Sequence, residues 1–207
     1  MAVPTSQLLT RKDIILVTAL YMFSERGYKE VTVRQIAHAV GIHVSSLYNH
    51  FASKEEILTA LYDLYAVHLQ QAEPDIEELL RLAETAPPHE VLMRLDYHVD
   101  PSIQDIMNRI LSVAVREFRI DARSEQFIRE HIIEKSTRAV TALLTRMIEL
   151  GRIEPVNVRV MTDILATYSV GAVLLNNTAL QINLGEWRAG LEMIWSLIKP
   201  IDTQLCS

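Results

Sequence analysis

Residues 32–58 constrain the fold and the function of this chain more than any other stretch. They read TVRQIAHAVGIHVSSLYNHFASKEEIL, with two short helical patterns separated by a turn at Gly41 and a further helix start at Ser53. Thr32 and Gln35 have the spacing of a capping box, which marks the start of the first pattern. Two short helices joined by a glycine-containing turn form a helix-turn-helix unit, whose second helix can enter the major groove of DNA.

The remainder of the sequence predicts helices. Apolar residues recur at helical spacing and no convincing run of alternating residues indicates a strand, so we expect an all-α fold. A first helix is predicted over 11–26, with Thr10 as its N-cap and Gly27 in the left-handed region at its end. Further helices are predicted from Asp100-Pro101 to about 120, over 123–150, over 157–182, and from 186 to just before Pro200.

The charge distribution and the cysteine content narrow the class of protein. The chain has 207 residues and a net charge of −6, yet residues 1–60 hold six Lys and Arg against five Asp and Glu. A weakly basic start on an acidic chain suits local contact with phosphate better than nucleic-acid binding by the whole surface. The single cysteine, Cys206, excludes an internal disulfide framework and a cysteine-based metal cluster. We expect no metal and no cofactor.

Residues 164–185 contain no charged side chain and are long enough to span a bilayer. Two adjacent asparagines, Asn176 and Asn177, and the lack of a flanking Lys/Arg cluster fit a buried helix of a soluble protein better. We therefore expect no membrane association. The N-terminus shows no secretory signal pattern, so a cytoplasmic location is expected by default.

The segment from Thr10 to Leu58 resembles the DNA-binding head of the TetR family of transcriptional regulators. The matching pieces are ALYMFSERGY (19–28), the TV..IA..VG run (32–41) and LYNHF.SKEEIL (47–58), and the whole segment covers about a quarter of the chain. The resemblance implies a three-helix helix-turn-helix head over 8–60, joined to a larger helical domain over 61–203 for effector binding and dimerisation. It also implies a ligand-responsive regulator, most simply a repressor that blocks a promoter.

The resemblance implies roles for particular residues of the head. Thr32 and Arg34 would meet phosphate at the start of the second helix, and Lys54 would be a phosphate-binding lysine. Thr32 also has the simpler role of capping its helix. The third helix would carry the groove-facing side chains, with Ser hydroxyls and an amide able to reach base edges or phosphate. These candidates are Val44, Ser45, Ser46, Tyr48, Asn49 and His50, whereas Phe51 is expected in the core.

His43 departs from the family pattern, which commonly places Ser at the start of the recognition helix. Histidine is a poorer cap than serine, so we expect its side chain to point toward DNA instead. If the imidazolium contacts phosphate, operator binding weakens as the ring loses its proton at higher pH. A His43→Ser variant with the pH dependence of the wild type would contradict this hypothesis.

One recognition helix reads only a few base pairs, so such proteins bind palindromic operators on double-stranded DNA as dimers. The last two predicted helices are the expected homodimer interface, with Trp187 and Trp195 as interface anchors or core residues. A small, mostly apolar effector is expected among the middle helices. The candidate effector contacts are the polar and aromatic residues at mostly apolar positions, namely Tyr97, His98, Arg116, Phe118, His131 and Tyr168.

Two other classes of protein were weighed against a regulator. A di-metal helical enzyme would show Glu-x-x-His pairs, but no histidine of this sequence has Glu three residues before it. No HExxH, GxSxG or phosphate-loop pattern occurs either, so we do not expect an enzyme. The remaining alternative is a ligand-binding or interaction module that no longer binds DNA. The complete run from Tyr48 to Lys54 argues against such decay.

Overall fold

The computed structural model describes residues 10–95, 100–176 and 184–201, without the side chains of 136, 169–170, 172–176 and 184–187. Within these ranges the regular secondary structure is helical, and the β pairing is an isolated antiparallel bridge between Ile153 and Pro200. The predicted all-α class is confirmed. No helix of the described residues is long and apolar enough to cross a membrane.

The chain divides into two compact units, each built from two segments. The first unit combines Met1–Gln71 with Val99–Ile128, and the second combines Ala72–His98 with Arg129–Ser207. This division by compactness differs from the sequence-based boundary at 60/61, which follows the end of the DNA-binding motif. The first unit takes in a later segment because a helix of that segment packs along the first helix of the chain.

The helices of the first unit, numbered along the whole chain, are α1 (Arg11–Arg26), α2 (Val33–Val40), α3 (Val44–Tyr48), α4 (Lys54–Ala72), α7 (Gln104–Glu117) and α8 (Ala122–Phe127). Helices α1, α2 and α8 begin with a side-chain cap. Thr10 is the predicted N-cap of α1 and forms a capping box with Asp13, in which each side chain accepts the backbone N–H of the other residue. Gly27 ends α1 with φ of +95° and ψ of 144°, so its φ is positive but its conformation is not the predicted left-handed helical one.

A single apolar core holds the first four helices of the first unit together. The residues of this core are fully or almost fully buried and come from every one of these helices: Ile15, Leu20, Phe23, Ile36, Leu47, Phe51, Ile57, Leu58 and Leu61. The predicted core position of Phe51 is confirmed, since only 1% of its surface is exposed. Burial of aliphatic and aromatic side chains at this density fixes the relative positions of α2 and α3.

Helix α7 packs along α1 and joins it through polar contacts. Arg109 lies 4.2 Å over the Tyr21 ring, donates to Asp105 Oδ2 at 2.9 Å and donates to Ser24 Oγ at 3.1 Å. The Tyr21 hydroxyl donates to the same Asp105 oxygen at 3.1 Å. One carboxylate therefore receives hydrogen bonds from both helices.

One predicted helix start is wrong, and one correctly bounded helix contains a π-helical segment. The helix expected to start at Asp100-Pro101 begins only at Gln104, because the Asp100 carboxylate accepts the Ser102 N–H at 2.8 Å and forms a local turn instead. The helix expected over 123–150 is continuous from Ala122 to Glu149, but residues Ile128–Glu134 are π-helical. Apolar periodicity predicts helical winding and carries no information on whether a hydrogen bond spans four residues or five.

The second unit has its own apolar core. Its helices are α5 (Ile76–Leu82), α6 (Pro88–Met93), α9 (Lys135–Glu149), α10 (Val158–Asn176) and α11 (Leu184–Ser196). Leu143, Leu144 and Met147 on α9 are completely buried among residues of the other helices. Trp195 is also buried, so it is a core residue of its own chain, whereas the Trp187 side chain and residues 177–183 lie outside the described part.

Candidate nucleic-acid interface and effector cavity

Helix α2 begins and ends as its sequence predicts. The Thr32 hydroxyl accepts the Gln35 N–H at 3.3 Å, and the Gln35 side-chain oxygen accepts the Thr32 N–H at 2.8 Å. Gly41 closes the helix in the left-handed conformation, with φ of +74° and its N–H on the carbonyls of Ala37 and His38. This conformation turns the chain sharply enough to start another helix within three residues.

Helix α3 starts at Val44 without a side-chain cap. His43 occupies the N-cap position, but its imidazole makes no capping hydrogen bond, as its identity predicted. The His43 carbonyl accepts the N–H groups of Ser46 and Leu47 at 3.0 and 3.2 Å, which closes the first turn. The imidazole itself is exposed to solvent.

The exposed face of α2 and α3 carries the residues that sequence analysis assigned to DNA. Leu47 points into the core, whereas Ser45, Asn49 and half of the Tyr48 surface are exposed, as are Thr32 and Arg34 on α2. Val44, Ser46 and His50 are half-buried between the exposed and the buried face. This surface presents hydroxyl, amide, imidazole, phenol and guanidinium groups, while the apolar Leu47 side chain packs in the core beneath it. Such an arrangement is typical of a helix that reads the major groove of DNA.

Lys54 has a structural role that sequence analysis did not find. It is the first residue of α4, and its ammonium donates to the carbonyls of Tyr28 and Val31 at 2.9 Å each. The same ammonium lies 4.2 Å from the centroid of the Tyr28 ring. These contacts occupy two of its three N–H bonds, leaving one for a phosphate. A lysine in a surface motif carries no sequence signal for such backbone partners.

Tyr28 links the same turn to α4 a second time. Its hydroxyl donates to Glu55 Oε1 at 3.2 Å, and its ring packs edge-on against Phe23 at 5.1 Å. Burial raises the pKa of Tyr28 above its ordinary value, and the Glu55 carboxylate raises it further, so the phenol stays protonated. Together with Lys54, this side chain fixes the segment between α1 and α2 on the start of α4.

A cavity of about 530 Å³ lies within the second unit, a volume typical of small-molecule sites. Its wall is mainly apolar, with Leu92, Met93, Leu95, Val140, Leu165 and Trp195 among the lining residues. Polar and charged groups lie along the same wall: Glu73, Lys135, Thr137, Arg138, Thr162 and Arg188.

The four expected effector contacts that lie within the described residues do not line this cavity. Arg116 and Phe118 are exposed residues at the end of α7 in the first unit, and His131 lies in the π-helical segment. Tyr168 lies on α10 in a shallow groove with Val160, Asp163, Ile164, Thr167 and Ile194. Tyr97 and His98 lie outside the described residues. Sequence analysis chose polar residues at apolar positions, whereas the cavity is formed mostly by ordinary apolar residues.

The helix-turn-helix segment and the helical fold both have counterparts among known proteins. The family model for "Bacterial regulatory proteins, tetR family" matches residues 15–61. The HTH-type transcriptional repressor KstR2 of Mycolicibacterium smegmatis is 40% identical over 85 residues, covering 37% of this chain and 42% of that protein. The regulator TcmR of Streptomyces glaucescens is 46% identical over 46 residues, covering 22% of this chain and 20% of that protein.

The chain thus spans less than half the length of these relatives. Solved structures match over more of the chain: PfmR of Thermus thermophilus has a TM-score of 0.66 at 23% identity, covering 90% of this chain and 96% of that one. The regulator KstR2 of Mycobacterium tuberculosis has a TM-score of 0.60 at 22% identity, covering 93% and 97%. At these identities the likeness shows the fold.

Proposed function

We propose that this protein is a ligand-responsive transcriptional repressor that acts in the cytoplasm and binds a palindromic operator as a homodimer. The observation that carries the proposal is the surface of α3, where exposed Ser45, Tyr48 and Asn49 surround the buried anchor Leu47. Repression is favoured over activation because several relatives, the KstR2 proteins among them, are named repressors.

In this proposal, α2 positions the head on the DNA backbone and α3 reads bases. Arg34 and the backbone N–H groups at the start of α2 contact phosphate, as does the third N–H of Lys54. Ser45 and Asn49 are the candidates for base edges, with adenine as the usual bidentate partner of an asparagine. Tyr48 meets the backbone or a thymine methyl. The Thr32 hydroxyl bonds to Gln35, so its phosphate contact would have to share that hydrogen bond.

The homodimer is proposed to form through α10 and α11, the last two helices of the chain. Val160 and Ile164 lie one helical turn apart on α10 and are 50% and 44% exposed, and Met193 on α11 is 71% exposed. Exposed apolar side chains on neighbouring helices mark a surface that another molecule covers. A second copy of the same two helices completes a four-helix bundle by an isologous contact.

The effector is proposed to occupy the 530 Å³ cavity of the second unit. Its mostly apolar wall favours a small, mostly apolar molecule. Such a ligand releases the operator only if it binds the DNA-free arrangement of the dimer more tightly than the DNA-bound one. By thermodynamic linkage, the effector then lowers the affinity for the operator by the same factor by which the operator lowers the affinity for the effector.

Footprinting on the DNA upstream of the protein's own gene tests the proposal. At low salt and without effector, we expect a protected site with two roughly palindromic halves, one for each recognition helix. An Asn49→Ala variant should lose affinity for this site by about tenfold, as expected for one bidentate base contact, and should keep its affinity for unrelated DNA. A protein that protects no site under these conditions would be a ligand-binding module instead.

A further inference from the structure

The charged residues around the cavity are unevenly distributed. Among the described lining residues, three carry a positive charge and one carries a negative charge: Lys135, Arg138, Arg188 and Glu73. The chain as a whole is acidic, with a net charge of −6. A cationic cluster around an apolar cavity in an acidic protein is therefore a local feature and does not follow from the overall composition.

Glu73 and Lys135 form the tightest ion pair on the cavity wall. Their charged atoms lie 3.0 Å apart, and their side chains are only 32% and 24% exposed. Glu73 directly follows the last residue of α4, and Lys135 is the first residue of α9. The ammonium of Lys135 has three N–H bonds, so it can take a second anion beside Glu73 or in place of it.

The two arginines are held much more loosely than Lys135. Arg138 lies 4.0 Å from Glu134 with 76% of its side chain exposed, and Arg188 lies 3.9 Å from Glu192 with 59% exposed. Exposed pairs at such distances contribute little, so both guanidinium groups are available to another anion at little cost. Guanidinium groups bind carboxylate and phosphate in a bidentate manner.

The neutral polar groups of the cavity offer a ligand weaker interactions than the charged groups do. The Thr162 hydroxyl donates to the Val158 carbonyl of its own helix at 2.7 Å and lies 3.3 Å from the Thr141 hydroxyl. Its hydrogen is therefore already used within α10. The strongest recognition that this wall can supply is between its cations and a negative group on the ligand.

We propose that the effector is an amphipathic organic anion. Its apolar body lies among Leu92, Leu165 and Trp195, and its anionic head binds Lys135 by displacing the Glu73 carboxylate, with Arg138 and Arg188 as secondary partners. This inference rests on the proposed effector site and names the chemical class of its ligand. The anionic head is a carboxylate or a phosphate, since ammonium and guanidinium groups form charge-assisted hydrogen bonds with both.

Calorimetric titration of the full-length protein with dodecanoate, dodecyl phosphate and dodecanol tests the proposal, each below its aggregation concentration. We expect at least one anion to bind more than tenfold tighter than the uncharged alcohol, and the better anion identifies the head group. Lys135→Met should weaken binding of that anion about tenfold, as expected for the loss of one charge-assisted hydrogen bond, and leave dodecanol unchanged. Glu73→Gln should strengthen anion binding, because the competing carboxylate is gone.

Lys199→Met is the matched control, since Lys199 is an exposed lysine of the same unit that does not line the cavity. It should leave all three affinities unchanged. The inference is overturned if neither anion binds, if dodecanol binds as tightly as the anions, or if the Lys135 and Lys199 variants behave alike. Operator binding measured on the same samples separates the two proposals: a protein that binds DNA and ignores the anions retains the proposed function and loses only this inference.

Discussion

The ammonium of Lys54 lies over the ring of Tyr28 at 4.2 Å and donates a hydrogen bond to the carbonyl oxygen of that same residue at 2.9 Å. A second hydrogen bond of 2.9 Å runs to the Val31 carbonyl. The lysine thus connects the start of α4 to the turn that precedes the helix-turn-helix. A residue expected to bind phosphate also holds together the surface that phosphate would meet.

Replacing Lys54 should therefore affect folding as well as DNA binding. Lys54→Met removes two hydrogen bonds from a charged donor and one cation–π contact, so we expect the free energy of unfolding to fall by about 1–3 kcal/mol. Urea denaturation of the full-length protein measures this change. Lys29→Met, at an exposed lysine of the same turn, should change it by less than about 0.5 kcal/mol. Equal stability of the Lys54 variant and the wild type would leave Lys54 only its phosphate role.

The start of α3 lacks a side-chain cap, and a substitution at the N-cap residue His43 can supply one. His43 makes no side-chain hydrogen bond to the first turn, whereas a serine accepts a free N–H there. We expect His43→Ser to raise the free energy of unfolding by about 0.5–1 kcal/mol, measured by urea denaturation. His50→Ser, outside the N-cap position, should give no such gain. If the histidine contacts phosphate, the same His43 variant should bind the operator less tightly at low pH, which would separate capping from DNA contact.

The head could be predicted from sequence in more detail than the cavity could, and the reason is physical. The capping boxes at Thr10 and Thr32 and the positive φ of Gly27 and Gly41 are local, because each depends on residues three or four positions apart. The backbone partners of Lys54 are more than twenty residues away and leave no pattern in the sequence. The cavity depends on how several helices of the second unit pack, and its apolar residues have the spacing of any buried helix.

The proposed dimer surface can be tested with one charge. Ile164 lies in the shallow groove between α10 and α11 and is 44% exposed, so Ile164→Glu places a carboxylate where the partner helices would exclude water. We expect the variant to be monomeric at micromolar concentration in analytical ultracentrifugation and to lose cooperative operator binding. Ile120→Glu is the matched control, because Ile120 is 59% exposed but lies outside these helices. A dimeric Ile164 variant would place the interface elsewhere.

Acid should weaken the first unit through Asp121. Its carboxylate caps α8 by accepting the N–H groups of Arg123 and Ser124, and the Arg123 side chain donates to it at 2.6 Å. Chiefly this Arg123 hydrogen bond holds the pKa of Asp121 below its ordinary value. A lowered pKa in the folded state means that the stabilisation is present above the unfolded-state pKa and is lost as pH falls through the folded-state one. Asp121→Asn should lower stability at neutral pH and reduce its decline below about pH 4. If the free energy of unfolding fell equally for variant and wild type below about pH 4, this role of Asp121 would be contradicted.

The Tyr168 side chain lies so close to Gly190 on α11 that any residue with a Cβ atom would clash with it. A Cβ atom built there would lie 1.9 Å from the Tyr168 hydroxyl oxygen and 2.7 Å from the ring carbon that bears it, so the Tyr168 ring would have to move. Ala is normally favoured over Gly inside a helix by about 1 kcal/mol. At Gly190 we expect the opposite, a loss of about 1–3 kcal/mol from overpacking, whereas Gly171→Ala, with no atom within 4 Å, should be neutral or stabilising. Thermal unfolding of both variants gives the comparison, and a stabilising Gly190→Ala would show that Tyr168 moves aside without cost.

Because Tyr168 also lines the groove with Ile164, the same ring movement should weaken dimerisation in the Gly190 variant and not in the Gly171 variant.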